Sequence, residues 1–183
     1  MVNDSSFTLL REKKLLDTPW LKVTANDYQL PNQQQLHEYY VVQEKNGVTV
    51  VPLTTNNEIL IVKQFRPPIN EMCYDLPGGL IDAEGIDPLL QAQQELLQET
   101  GYATKNWISI GSFYPAPHRL RNFQECYIAK DITKIATPKL DNTEVVTYEL
   151  VDLNIFEQMI KENIFKCSYC ITAYFKAKLS LGI

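Results

Sequence analysis

Long apolar runs are missing from this chain. No stretch approaches the roughly 20 residues that a helix needs to cross a bilayer, so no membrane partner is expected. Runs of Lys and Arg are missing as well. The net charge is −5 and the pI about 5.1, and without a basic stripe no nucleic-acid partner is expected. The opening MVNDSSFTLLREKK lacks the basic-then-apolar pattern of a secretory signal, which predicts a cytoplasmic protein. Histidine is scarce, with only His37 and His118 present, distant in sequence. A four-ligand zinc site on the Cys167-x-x-Cys170 pair would have to recruit them, and no thioredoxin-like context surrounds the pair. Cys73, Cys126, Cys167 and Cys170 are therefore read as buried structural thiols. Internal repeats, low-complexity segments and long linkers are also lacking.

What is present is ordinary globular material. A chain of 183 residues, 45% of them hydrophobic, can bury one substantial core with a small appendage. A modest negative total leaves room for a small anionic ligand, because local Arg residues or a metal can outweigh it. The first half is rich in strand signals: FTLLREKKLLD, WLKVTANDYQLP, HEYYVVQEK, VTVVPL and EILIVKQFR. Asn46-Gly47 between YYVVQ and VTVVPL predicts a hairpin, and residues 54–57 predict a further turn. VTVV and ILIV have the length and apolarity of buried strands. WISIGSFY, FQECYIAKDI and VVTYELVDL follow as strands. Two helices are expected near the C-terminus, about 153–163 and 167–180, the first with Ile155, Met159 and Ile160 on its apolar face. A boundary near residue 45 divides an N-terminal β extension (1–45) from the main body (46–183).

One helix concentrates the chemistry. Asp87 suits the N-cap, Pro88 the first helical position, and Gly101 the residue after the end. Between them, Leu89, Ala92, Leu96 and Thr100 share one face, with Leu90 and Leu97 beside it, while Gln91, Glu95, Gln98 and Glu99 share the other. Glu95 and Glu99 are like charges at i, i+4, which costs a few tenths of a kcal/mol unless something cationic lies between them. A solvated face and a divalent-cation site are both open readings. Magnesium, which takes carboxylate and water oxygens, suits the second. The segment LPGGLID leads into this helix, and Gly78 and Gly79 there allow close backbone approach and positive φ.

Loop, carboxylate helix and terminal Glu-Thr-Gly together resemble the Nudix hydrolase motif: Gly, five residues, Glu, seven residues, then Arg-Glu-apolar-x-Glu-Glu-x-Gly-apolar. Tyr102, Gly101, Glu99, Leu96 and Glu95 match it. Gln98 stands where the motif has Glu, Gln94 where it has Arg, and Ile86 where it has the loop Glu. Glu84 is the shifted candidate for that last carboxylate. VKQFRPPINEMCYDLPGGLID and FYPAPHRLRNFQECYIAKDI are similar to the ADP-ribose pyrophosphatase-like branch. The resemblance implies an α/β (α+β) fold: an α/β/α sandwich with a mixed sheet and an N-terminal antiparallel extension that builds a homodimer. It implies Mg²⁺- or Mn²⁺-dependent hydrolysis of a nucleoside diphosphate linked to another moiety, ADP-ribose or a nucleoside-diphosphate sugar. Glu95 and Glu99 become metal ligands and catalytic residues, with Gln98 and Glu84 as further metal positions. Glu144, beside Asp141, becomes the general base. Arg66, Gly78, Gly79, Arg119 and Arg121 become substrate contacts; surface ion pairing is the other reading of each arginine. The three departures from the motif make a catalytically impaired nucleotide-binding or sensor protein the alternative.

Overall fold

The structure, a computed structural model, describes residues 7–81, 85–140 and 145–182. The chain divides into two compact units. One comprises residues 1–45 with 114–123, the other residues 46–113 with 124–183.

In the first unit, β1 (Thr8–Asp17), β2 (Lys22–Gln29) and β3 (Gln35–Gln43) form an antiparallel sheet in that order. The register of β1 shifts at Leu10 and at Leu15, the mark of two bulges on an edge strand. The segment 114–123 joins this sheet through main-chain bonds. Val42 N–H donates to Arg119 O and Arg121 N–H donates to Val42 O, both at 2.9 Å. Buried here are Thr24, Asn26, Asp27 and Asn122, and Ala25 alone among the described hydrophobic residues of this unit. Glu38 N–H and the Arg11 guanidinium hold the Asp27 carboxyl below its usual range, against the effect of burial.

The second unit is a three-layer sandwich. Its mixed sheet has β4 (Gly47–Leu53), β5 (Glu58–Arg66), β9 (Asn106–Phe113), β10 (Gln124–Lys130) and β12 (Val146–Asp152) in the order β12-β5-β4-β10-β9. The β4–β10 pair is parallel and the others antiparallel. The turn at 54–57 forms as expected, with Thr54 N–H on Glu58 O and Asn57 at φ 62°. Beyond Leu53 and Ile59, β4 and β5 part. A 3-10 turn at Pro67–Ile69 leads into β6 (Glu71–Asp75), which pairs with β5, and β7 (Gly78–Leu80) pairs with β4. The gap between two splayed strands thus receives the segment carrying the paired glycines. A small ladder of β8 (Tyr102–Ala103) and β11 (Thr133–Lys134) lies apart.

Strand alternation builds two cores from runs apolar at nearly every position. Val48, Val50, Leu60, Val62, Tyr127 and Ala129 face α1 (Pro88–Thr100) and its buried Ala92 and Leu96. Val51, Ile59, Ile61, Cys126 and Ile128 face the other way, against α2 (Leu153–Lys161) and α3 (Ser168–Leu181). The centre of α2 is Phe156, fully buried, its ring edge-on to Phe165 and Tyr174 at 4.8 Å each. Ile155, expected inside, is 59% exposed, because the stripe of α2 runs through Leu153 and Phe156 instead.

The expected hairpin at Asn46-Gly47 does not form. β3 and β4 belong to different sheets. Asn46 O accepts from Ile81 N–H at 2.8 Å. A Cβ on Gly47 would lie 2.4 Å from the Gln124 side-chain oxygen, so this glycine serves a close approach, not a tight turn.

Candidate active site

The helix α1 is capped as its sequence predicts. Asp87 accepts from Leu89 N–H at 3.0 Å, Pro88 opens the first turn, and Gly101 ends the helix at φ 76° with its N–H on Leu97 O. The division of its faces is not the expected one. Gln91 and Glu99, placed on the polar face, are buried at 7% and 6% exposure, and Leu90 is 49% exposed. β7 packs beside α1 at Glu95 and Glu99, which accounts for the burial of Glu99.

Here the two glycines find their physical reason. Gly78 N–H donates to Glu99 Oε2 at 3.2 Å. A Cβ on Gly78 would come within 2.2 Å of Val48 O, and one on Gly79 within 2.2 Å of Glu95 Oε1. Close approach thus requires glycine at Gly78, where the neighbour is backbone, while at Gly79 a side chain would have to displace the Glu95 carboxylate; the expected positive φ occurs at neither position. Gln91 Nε2 donates to Glu95 Oε1 at 2.8 Å. Two carboxylates one helical turn apart are thereby held by a glycine loop and an amide. Gln94 and Gln98 stay exposed, and the Gln98 carbonyl accepts from Lys139 N–H.

A cleft of about 600 Å³ adjoins this clasp. Gly78, Gly79 and Leu80 line it, with Arg66 at the end of β5, Pro68 just after it, and residues 166–170 leading into α3. Arg66 is half-exposed and binds Asp75 Oδ2 through Nε at 2.9 Å and Nη2 at 2.5 Å. It is therefore both an ion-pair partner and a cleft residue. The cysteines divide. Cys126 and Cys170 are buried as expected, but Cys73 and Cys167 are only partly so, because both open onto the cleft. Burial, then the neighbouring Cys167 and Asp75, push the Cys170 thiol well above its ordinary value.

Among the expected site residues, Arg66, Gly78, Gly79, Glu95 and Glu99 come together in the second unit. Arg119 and Arg121 belong to the first, both exposed, with Arg121 paired to Glu12 at 3.3 Å. Glu84, Glu144 and Asp141 lie outside the described residues. Asp75 was not anticipated; only its place two residues before Pro77-Gly78-Gly79 hints at it.

A family model describing the NUDIX domain matches residues 44–167. The chain belongs to the Nudix family. Within that family it is similar to the methanol dehydrogenase activator of Bacillus methanolicus, 32% identical over 145 residues, 78% of this chain and 76% of that protein. It is also similar to the ADP-ribose pyrophosphatase of Bacillus subtilis (strain 168), 30% identical over 123 residues, 67% of this chain and 65% of that one. A third relative, the ADP-ribose pyrophosphatase of Saccharomyces cerevisiae, is 35% identical over 104 residues, 51% and 45% of the two chains. The Nudix fold recurs in the crystal structure of an ADP compounds hydrolase, with TM-score 0.81, 16% identity, and coverage of 97% of this chain and 95% of that one. The expected fold class, a mixed sheet layered with helices, is what the structure contains.

Proposed function

We propose that this Nudix protein hydrolyses the diphosphate of a nucleoside diphosphate linked to another moiety, with ADP-ribose or a nucleoside-diphosphate sugar as substrate. The observation that carries the reading is the clasp of Gly78 and Gly79 on Glu99 and Glu95 within a Nudix domain. Relatives named ADP-ribose pyrophosphatase and ADP-sugar pyrophosphatase support the substrate class.

The donor set fits a hard divalent cation, since it consists of carboxylate oxygens. Glu95 and Glu99 would hold Mg²⁺ or Mn²⁺, which when bound supplies charge neutralisation for the phosphates and an acidified water. The chain's own groups do the rest. Gly78 N–H and the Gln91 amide fix the directions of the two carboxylates, so that no reorganisation is needed on binding. Arg66, at the cleft mouth, offers a planar pair of N–H donors to phosphate oxygens. The missing side chains at 78 and 79 let a substrate approach the backbone. Arg119 and Arg121 as substrate contacts, Gln98 and Glu84 as further metal positions, and Glu144 as general base complete the proposal on the family resemblance.

The competing reading is a nucleotide-binding sensor without turnover. Gln94 and Gln98 are exposed and outside the clasp, so the charge absent there leaves the support of Glu95 and Glu99 intact, which favours turnover. Residues 1–45 are proposed as a dimerisation extension to a Nudix domain of residues 46–183. The exposed Leu9, Leu10, Leu15, Leu16 and Trp20 support a homodimer formed there. Four free cysteines support a reducing, cytoplasmic location. Among the described residues no helix is long and apolar enough to cross a membrane.

The test is turnover of a nucleoside-diphosphate panel by the purified chain with Mg²⁺ or Mn²⁺. Glu99→Gln is expected to lower kcat on the order of 10²- to 10³-fold. Wild-type turnover no higher than that of the variant, with every substrate, overturns the proposal. Thermal stabilisation by a substrate without product selects the sensor reading.

A further inference from the structure

The cleft has a second wall whose chemistry differs from that of the glutamates. Asp75 at the end of β6, Cys167 at the N-cap of α3 and Cys170 in its first turn bring one carboxylate oxygen and two sulfurs within 4.8 Å of one another. All three residues line the cleft. Tetrahedral zinc, with thiolate sulfur at about 2.3 Å and carboxylate oxygen at about 2.0–2.2 Å, sets its ligand atoms about 3.5–3.8 Å apart, inside that limit.

Two of the three donors are also held in place. Leu76 N–H donates to Cys170 Sγ at 3.1 Å. Arg66 Nε, Arg66 Nη2 and Gln64 Nε2 all donate to Asp75 Oδ2, at 2.9, 2.5 and 3.2 Å, and none of them occupies Oδ1. Such outer hydrogen bonds orient ligands before the ion arrives. Charge agrees with geometry. Two thiolates and a carboxylate carry −3, a divalent ion brings +2, and the Arg66 guanidinium offsets the remainder. Sulfur also decides the metal class. Magnesium prefers oxygen, while a pair of cysteine thiolates selects a soft or borderline ion.

We propose that Asp75, Cys167 and Cys170 bind one thiophilic divalent cation of the zinc class, at a site separate from Glu95 and Glu99. Its three protein ligands leave one coordination position, directed to the cleft. Binding releases the two thiol protons to solvent; no oxidant or reductant takes part. The reading does not depend on hydrolysis.

The probe is Co²⁺ added to the reduced, metal-free full-length chain. One equivalent is expected to produce a thiolate-to-cobalt charge-transfer band with the visible bands of a four-coordinate ion, and Zn²⁺ is expected to abolish both stoichiometrically. A large excess of Mg²⁺ leaves them unchanged. The half-exposed position of Cys167 makes Cys167→Ser the first variant, expected to weaken Co²⁺ binding at least ~100-fold. Asp75→Asn is the second, expected to weaken it ~10- to 100-fold. Far-ultraviolet circular dichroism checks that both fold. Glu95→Gln/Glu99→Gln and Cys73→Ser are expected to keep the band. No thiolate band in the wild type overturns the proposal, as does a band that survives Cys167→Ser or disappears in the glutamate variant. The last two results move the ion to other ligands. A chain that loses hydrolysis in the glutamate variant but keeps the cobalt band separates the two sites.

Discussion

The two compact units bury opposite kinds of residue. In the second, Ile59, Leu60, Ile61 and Val62 are all at 0% exposure. In the first, every residue of β1 is exposed, four leucines included, while the interior holds Thr24, Asn26, Asp27 and Asn122. Three side-chain atoms there, Thr24 Oγ1, Asn26 Oδ1 and Asn122 Oδ1, lie buried without a hydrogen-bond partner among the described residues. A buried, unmatched polar atom costs about 1–3 kcal/mol, and a half-exposed leucine contributes only part of what a buried one does. The sandwich is therefore stabilised from within. The three-stranded sheet leaves much of its apolar surface exposed.

Truncation in the two units should separate them most sharply. Phe156→Ala removes a ring packed between two others, and is expected to cost about 3–5 kcal/mol of unfolding free energy by denaturant titration. A cost under ~1 kcal/mol would show that the double-faced core is not where stability resides. A smaller effect is expected for Gly79→Ala. Its new methyl must displace the Glu95 carboxylate, so kcat should fall by about 10- to 100-fold with little change in fold, as steady-state kinetics and circular dichroism can check.

A pH scan reaches the core from another direction. Burial pushes the Cys126 thiol up to about 12. Because its folded value exceeds the unfolded one, the contribution of the neutral thiol is full below the ordinary value near 9.0 and is lost as pH rises toward about 12. Stability should decline across that window by up to about 1.4 kcal/mol per pH unit from this group, and Cys126→Ala should reduce the slope. The smallest stability effect belongs to β1. Leu9→Lys/Leu16→Lys is expected to change monomer stability by less than ~0.5 kcal/mol. The same pair should shift the sedimentation coefficient of a dimer to that of a monomer. A stability loss of several kcal/mol would erase the contrast between the units.

What could be read from the sequence follows from the range of the forces involved. Asp87, Pro88 and Gly101 cap α1 through contacts within a few residues, so local chemistry was enough. The ILIV and VTVV runs announced burial on both faces because few alternatives accommodate uninterrupted apolar strands. Asn46-Gly47 misled for the complementary reason. The dipeptide suits a tight turn, but the glycine answers to Gln124, far along the chain. In the site, Glu95 and Glu99 were legible by their spacing, but the burial of Glu99 and the clasp on both carboxylates were not, since they depend on where β7 pairs. The cysteine pair was read against histidines because zinc ligands are first sought there. The third donor is Asp75, a residue distant in sequence that only the fold places beside them.

The Gly78 amide on Glu99 has a consequence for regulation at this carboxylate. A main-chain donor is removed at its own position only by proline, so the link between loop and helix does not depend on the identity of neighbouring side chains. It is also reciprocal. Whatever draws electron density from Glu99 weakens its hold on that amide, and whatever frees the amide alters the carboxylate's affinity by the same factor. Hydrogen exchange at the single Gly78 N–H is therefore expected to change when a cation binds at Glu99, which can be measured before any substrate is known.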